Sequence, residues 1–279
     1  MTIHWFPGHM STARNELRKV MPDVDMVIEV LDARLPFSSE NPLVSELRGQ
    51  KPCIQILNKS DLADPVVTAE WMESIAVRPG IGVLLHQHKA ALMQPLTALA
   101  RKLVRSRRSG PLVAMILGIP NVGKSTLING LAGRPIAKTA NKPGLTRVPQ
   151  RVKVGPDLIL LDSPGLLWPR LSPVACAFRL AVSGAISDRV LEYEELTEFA
   201  IPFLRERYPA GVTSHYGLEE FPAQNAELLE AVARRRGFLG RGGFVDIARA
   251  AERLILDLRE GKLGPLSLER PSDCRRGGA

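Results

Sequence analysis

Cysteine is scarce in this chain of 279 residues, which contains only Cys53, Cys176 and Cys274. An odd number of widely separated cysteines forms neither a disulfide framework nor a zinc site. Long hydrophobic runs are also missing: the longest purely apolar stretches cover about five to eight residues, far below the roughly 20 that span a bilayer. We therefore expect no membrane span.

The amino terminus, MTIHWFPGHM, has neither an apolar secretory core nor an Arg/Ser-rich transit segment, so we expect a cytoplasmic protein. Acidic residues are outnumbered, with 29 Asp and Glu against 37 Lys and Arg, which gives a net charge of +8. This balance suits a polyanionic partner, but many basic proteins bind no nucleic acid.

Five short apolar runs, each followed by polar or glycine-rich residues, predict the central strands of a parallel sheet buried on both faces. They are residues 24–31, 53–57, 81–85, 112–117 and 158–161. Residues 148–154 alternate apolar and polar side chains, which is typical of an edge strand. With helices predicted at 11–20, at 94–108 and after residue 124, the fold class is α/β, a mostly parallel sheet flanked by helices.

Beyond Trp168 the strand signals stop, and helices are predicted at 175–182, 192–207, 223–236 and 244–259. We therefore predict two domains, with boundaries at 1–170 and 171–279, of which the second is small and all-helical. From Arg234 onward there are eleven Lys and Arg against six Asp and Glu, so this end carries five of the eight net charges. Arg249 and Arg253 lie off the apolar stripe of the last helix and are candidates for phosphate contacts.

A phosphate-binding loop is predicted at residues 118–125, where GIPNVGKS follows an apolar strand and opens a helix. Its backbone N–H groups and the helix N-terminus favour phosphate. Lys124 is expected to reach the β- and γ-phosphates and Ser125 to ligate Mg²⁺. The neighbouring positions expected to contact the nucleotide are Asn121, Val122, Gly123 and Thr126.

A second motif, Asp162-Ser163-Pro164-Gly165, follows the strand at 158–161. Asp162 is placed to hold Mg²⁺ through water, and the Gly165 N–H to sense the γ-phosphate. In the polar stretch between the two motifs, Thr146 is the candidate whose hydroxyl completes the Mg²⁺ shell in the GTP state, and Thr139 is the alternative.

A third motif, Asn58-Lys59-Ser60-Asp61, ends the strand at 53–57. A carboxylate here accepts hydrogen bonds from N1–H and the exocyclic amine of guanine, which adenine cannot donate. The base is therefore predicted to be guanine, read by Asp61, with Asn58 in the same loop and the Lys59 stem along the ring. The base motif precedes the phosphate loop by about sixty residues, so the order is circularly permuted relative to most GTPases, as termini that lie close together allow.

These residues resemble the ribosome biogenesis GTPase A (YlqF) family of circularly permuted GTPases. The resemblance rests on WFPGHM at 5–10, DARLPFSSENP at 32–42, GIPNVGKS, PGLT, DSPGLLWP and the closing AAERLILDLREGKLGPLSLERP. It implies that the protein hydrolyses GTP during late assembly of the large ribosomal subunit and that this particle stimulates the hydrolysis. It also implies that the C-terminal domain docks on ribosomal RNA. We expect the protein to act as a monomer and to bind no membrane. The usual base-supporting motif is degraded here, and that contact is placed only around His86 and Gln87.

The catalytic group is not the usual glutamine, because Leu166 follows the D-x-x-G motif and cannot hydrogen-bond water. The family resemblance points to His9, with Lys124 and Thr146 as the other catalytic residues; a His9 that only packs or contacts RNA is the alternative. Asn121 resembles the asparagine that helps potassium-activated GTPases hold K⁺ against the phosphates. A signalling GTPase or a GTP-controlled scaffold for a non-ribosomal protein remains the alternative function.

Overall fold

The structure is a computed structural model, and it describes residues 9–87, 91–104, 110–136, 150–163, 165, 167, 173–186, 192–240, 242 and 244–274. Side chains are described from residue 14 onward within these ranges. Six strands form one sheet: β1 Met26–Asp32, β2 Cys53–Asn58, β3 Ile81–Leu85, β4 Leu112–Gly118, β5 Gln150–Val154 and β6 Leu158–Asp162.

The described ranges contain eleven α-helices, and four of them begin with proline, whose fixed φ suits the first helical position. They are α1 His9–Val20, α2 Pro36–Ser39, α3 Pro42–Arg48, α4 Pro65–Ala76, α5 Met93–Leu103, α6 Lys124–Ala132, α7 Val174–Val182, α8 Tyr193–Arg207, α9 Pro209–Tyr216, α10 Asn225–Arg236 and α11 Ile247–Arg259. The side chains of Asn41 and Asp64 cap α3 and α4 by accepting hydrogen bonds from backbone N–H groups of the first turn.

The strand order is β3-β2-β1-β4-β6-β5, and every neighbouring pair is parallel except β5 with β6. This confirms the predicted fold class, including the half-exposed edge strand, in which only Val152 and Val154 are buried. In β1 the side chains of Met26 and Ile28 pack with α5 and α6 on one face, and Val27 packs with α1 and α3 on the other. Burial on both faces explains why these runs lack alternation.

The carboxyl ends of the parallel strands meet at one edge of the sheet, which is where open α/β sheets bind ligands. The three motifs follow β2, β4 and β6 at this edge. The nucleotide motifs therefore come together although sequence order separates them.

Helices α7 to α11 follow the sheet, but one apolar cluster runs from Met26 of β1 through α8 and α11 to Leu268. The segment after α11, which we call the C-terminal strap (residues 262–274), packs against the helices and also contacts the loops at the end of the sheet. It returns to the sheet, where Leu266 N donates to Leu62 O (3.0 Å) and Leu268 N to Arg34 O (2.7 Å). The boundary at residue 170 stays a prediction.

Among the described residues, no helix is long and apolar enough to cross a membrane.

Candidate nucleotide-binding site

The loop after β4 approaches its neighbours so closely that two of its glycines cannot be replaced without rearrangement. A Cβ on Gly118 would lie 2.7 Å from Val30 O, and one on Gly123 would lie 2.3 Å from Asn58 Nδ2. Gly123 has φ +96°, which glycine adopts without strain. Asn121, at φ 56°, is one of only two non-glycine residues with positive φ in the described chain. Strained backbone of this kind is concentrated at ligand sites.

Two side chains of the Asn58-Lys59-Ser60-Asp61 motif hold the phosphate loop from the side. Asn58 Nδ2 donates to Val122 O (2.7 Å), and Lys59 Nζ donates to Asn121 O (2.9 Å). Lys59 is the other positive-φ residue, at 59°. The base loop and the phosphate loop are therefore one connected unit, as their predicted shared role requires.

His86 lies beside this unit. Its Nδ1 is 2.8 Å from Asn58 Oδ1, and its carbonyl oxygen accepts a hydrogen bond from Ser60 Oγ (3.0 Å). Because the Asn58 amide nitrogen is already donating to Val122, its oxygen is the acceptor, so Nδ1 of His86 carries a hydrogen. The structure thus places His86 behind the base loop, while Gln87 is exposed beside it.

Asp61 is exposed, and no hydrogen bond joins it to the described part of the chain. The pairing of this carboxylate with guanine stays a prediction.

Lys124 and Asp162 form the charged floor of the site, and both are buried. Burial lowers the pKa of Lys124 from 10.5 to about 8, against the opposing effect of the Asp162 charge. Burial likewise raises the pKa of Asp162, and Lys124 opposes that rise. Asp162 Oδ1 is buried without a hydrogen-bond partner among the described residues. Buried polar atoms normally have partners, so this oxygen fits the predicted water-mediated Mg²⁺ contact.

Gly165 lies against the phosphate loop, where a Cβ would meet Pro120 N and Cα at 3.1 Å. Ser163, two residues before it, is fixed by a hydrogen bond from its Oγ to Ile116 O (2.7 Å). Ser125 is half-buried and Thr126 exposed in the first turn of α6. Thr146, Thr139 and Leu166 lie outside the described residues; of His9 only its place as the first residue of α1 is described.

Two connections of the site were missed by sequence reasoning. Asn121 Nδ2 donates to Gly184 O (2.9 Å), which ties the phosphate loop to the turn after α7. Asp32, the last residue of β1, accepts hydrogen bonds from Lys59 Nζ (3.0 Å) and from the Arg34 guanidinium. The sequence signal that could have identified Asp32 is its place as a polar residue at the end of a buried parallel strand. Gly184 carries no comparable signal in the sequence.

A phosphate loop, a D-x-x-G turn and a base loop at one sheet edge, with the base loop first in sequence, define a circularly permuted P-loop GTPase. Comparisons with known proteins give the family. A family model described as "50S ribosome-binding GTPase" matches residues 113–201. The chain is 42% identical to ribosome biogenesis GTPase A of Bacillus pumilus over 97% of this chain and 99% of the relative. It is 33% identical to mitochondrial ribosome-associated GTPase 1 of Bos taurus over 95% and 88% of the two chains.

Two solved structures are similar over nearly the whole chain. The GNP-bound YlqF from Thermotoga maritima superposes with a TM-score of 0.67 at 29% identity, covering 94% of this chain and 100% of that one. The GDP-bound form of YlqF gives the same TM-score and identity over 92% and 99%. The chain belongs to the ribosome biogenesis GTPase A family and is a GTPase, with GTP as substrate and Mg²⁺ as the metal typical of this class.

Proposed function

We propose that this GTPase acts in late assembly of the large ribosomal subunit and that the particle stimulates its hydrolysis of GTP. The names of its relatives support a ribosomal role. The observation that carries the proposal is the Asn121–Gly184 hydrogen bond, because it joins the nucleotide site to the helices that follow the sheet. The last part of these helices, from Arg234 onward, carries the excess positive charge.

In the nucleotide site, Asp61 reads guanine, the Lys59 stem lies along the base, and Asn58 joins this loop to the phosphate loop. His86 supports Asn58, and Gln87 lies next to the base. The remaining nucleotide contacts come from the phosphate loop and the γ-phosphate sensor: Asn121, Val122, Gly123, Lys124, Ser125, Thr126 and Gly165.

The metal ligands proposed for Mg²⁺ are Ser125, Thr146 and, through water, Asp162. Among the described residues no group hydrogen-bonds to the buried Oδ1 of Asp162, which leaves this oxygen for a metal-bound water, and the buried ammonium of Lys124 suits the phosphates. When bound, the cation neutralises charge on the phosphates. Lys124 adds its own charge, and the nucleotide's phosphates favour its protonated form.

Hydrolysis needs a group that replaces the missing glutamine. We propose His9 as the residue that orients the attacking water, with Lys124 and Thr146 completing the catalytic set. The orientation of Asn121 supports a K⁺ role. The carbonyl oxygen of Gly184 can pair only with a donor, which in the Asn121 side chain is Nδ2. This bond therefore fixes which end of the amide faces Gly184 and leaves Oδ1 of Asn121 available as a cation ligand.

The helical region offers a surface suited to RNA. Arg249 is exposed, with its guanidinium 4.5 Å from the centroid of Phe238, and Arg235 is exposed on α10. Phe244, 78% exposed, lies on the loop between α10 and α11. Exposed guanidinium groups bind phosphate and an exposed ring stacks on bases.

Arg253, which sequence reasoning grouped with Arg249, has a different role. It pairs with Asp257, whose side chain is fully buried and also accepts from Tyr216 Oη (2.9 Å). Burial disfavours the charge of Asp257, but these partners hold its pKa at about 2. Arg253 therefore stabilises the helical packing, and a phosphate contact is better tested at Arg235 and Arg249.

We propose that the protein works as a cytoplasmic monomer that contacts ribosomal RNA and no membrane. Cosedimentation with separated ribosomal subunits, in GDP and in a non-hydrolysable GTP analogue, tests the partner. Nucleotide-dependent binding to the large subunit is expected. Equal stimulation of hydrolysis by the small subunit would overturn it and favour the alternative, a signalling GTPase or scaffold for another protein.

The role of His9 is tested by His9→Ala. Subunit binding and GTP affinity should stay near wild type, while stimulated turnover falls roughly 10²-fold, as is typical when a positioned catalytic group is lost. Full stimulated turnover in this variant would remove His9 from the catalytic set.

A further inference from the structure

The carboxylate of Asp32 is buried at the end of β1 and serves two cations. Its Oδ1 accepts from Arg34 N (3.1 Å) and Arg34 Nε (2.9 Å), and its Oδ2 accepts from Arg34 Nη2 (2.8 Å) and Lys59 Nζ (3.0 Å). Burial disfavours the charge, but the two cations hold the pKa of Asp32 well below its ordinary value. Asp32 is therefore an anion at any physiological pH.

Lys59 depends on this anion for its position. Its ammonium is held between Asp32 Oδ2 and Asn121 O (2.9 Å), and its backbone is left-handed. A lysine is a point charge on a flexible four-carbon stem, so two acceptors fix it where one does not. Asn121 O is a neutral carbonyl, which makes Asp32 the stronger of the two partners.

Arg34 orients the carboxylate, and the C-terminal strap holds Arg34. The guanidinium is fully buried, and its planar fork binds both oxygens of Asp32. The carbonyl oxygen of Arg34 accepts from Leu268 N of the strap (2.7 Å), and Nη1 donates to Arg259 O (3.4 Å). The anion that positions Lys59 is thus fixed by the last residue of α11 and by the strap that follows this helix.

We propose that Asp32 is a positioning residue for guanine-nucleotide binding and that it acts through Lys59. The proposal rests on the proposed contact of Lys59 with the base. Asp32 itself touches neither base nor phosphate; it sets the place of the side chain that lies along the base and braces the phosphate loop.

A double-mutant cycle on GDP affinity tests this, with a fluorescent GDP analogue as probe and the full chain as the protein. Lys59→Met and Asp32→Asn should each weaken binding at least tenfold. Because Asp32 acts through Lys59, the double variant should bind no more weakly than the weaker of the two single variants. Asp157→Asn, which removes the charge of a half-exposed aspartate paired with Arg101, is the matched control and should bind as wild type.

The outcomes separate the two claims. Unchanged GDP affinity in Lys59→Met overturns the base-site assignment itself. A loss in Lys59→Met with none in Asp32→Asn, or losses that multiply in the double variant, overturns the role of Asp32 alone. A purely structural Asp32 would lower the melting temperature without changing GDP affinity.

Should Asp32→Asn fail to fold, Asp32→Glu takes its place in the cycle. It keeps a charge beside Arg34 but displaces the oxygen that holds Lys59. The same non-multiplicative losses are expected, and multiplied losses overturn the proposal.

Discussion

Glu29 lies in the middle of β1, buried beneath the junction of α2 and α3. Its two oxygens accept from Asn41 N and Gln55 Nε2, both at 2.9 Å. Burial, assisted by the nearby Glu40, raises its pKa from 4.5 to about 7. The perturbation we consider is Glu29→Gln, which removes the ionisable group and keeps the shape.

The direction in which pH changes the free energy of unfolding follows from proton binding by Glu29. The folded protein holds a proton on Glu29 up to about pH 7, whereas the unfolded chain releases it near 4.5. Between these values the folded state binds more protons, so the contribution of Glu29 to stability is complete below pH 4.5 and is lost as the pH rises through about 7. At about 1.4 kcal/mol per pKa unit, the total is roughly 3 kcal/mol.

A glutamine at this position cannot ionise and avoids that loss. It also offers an N–H that Gln55 Oε1, which is buried without a partner among the described residues, can accept after its amide rotates. The free energy of unfolding of Glu29→Gln relative to wild type should therefore rise by roughly 2–3 kcal/mol between pH 5 and pH 8.

Urea unfolding of both proteins at the two pH values measures this difference. Glu220→Gln, at an exposed position, is the control and should show no comparable change. The reasoning fails if Glu29→Gln differs from wild type by the same free energy at pH 5 and pH 8.

Three further predictions concern the nucleotide and the ribosome. Asp61→Asn should lose GTP affinity and gain affinity for a xanthine nucleotide, because the amide donates to the added carbonyl; binding titrations with both nucleotides measure this, and equal ATP and GTP affinity in the wild type contradicts guanine selectivity. Potassium should accelerate wild-type hydrolysis relative to sodium at equal ionic strength, and Asn121→Ala should erase the difference; identical wild-type rates in the two salts would remove the K⁺ role. The double variant Arg235→Gln, Arg249→Gln should weaken large-subunit binding while basal hydrolysis persists, and the plot of log affinity against log salt concentration should become less steep by about two phosphate contacts. Arg134→Gln is the control, and an unchanged slope in the double variant argues against these contacts.

Local patterns were enough to predict the sheet strands and the three motifs. A strand, a glycine-containing turn and a helix start lie next to each other along the chain, and each leaves its own signal in composition and spacing. Helices α3 and α4 carry equally local signals, a capping Asn41 or Asp64 followed by proline, yet were not predicted. Their buried apolar residues also have helical spacing, with Val44 and Leu47 in α3 and Val67, Trp71 and Ile75 in α4, so both helices could have been predicted from the sequence.

The remaining features depend on residues far apart in sequence, which leave no periodic trace. Lys59 meets Asn121 across 62 positions, and Ser38 meets the buried Glu269 across 231. Only the sheet order brings Asp32 beside Lys59, and only the returning strap fixes Arg34. The amino-acid sequence by itself thus determined which chemistry is present, because that chemistry is written in short segments. The tertiary structure decided which distant residues position the site, because contacts of this kind arise only when segments far apart in sequence pack together.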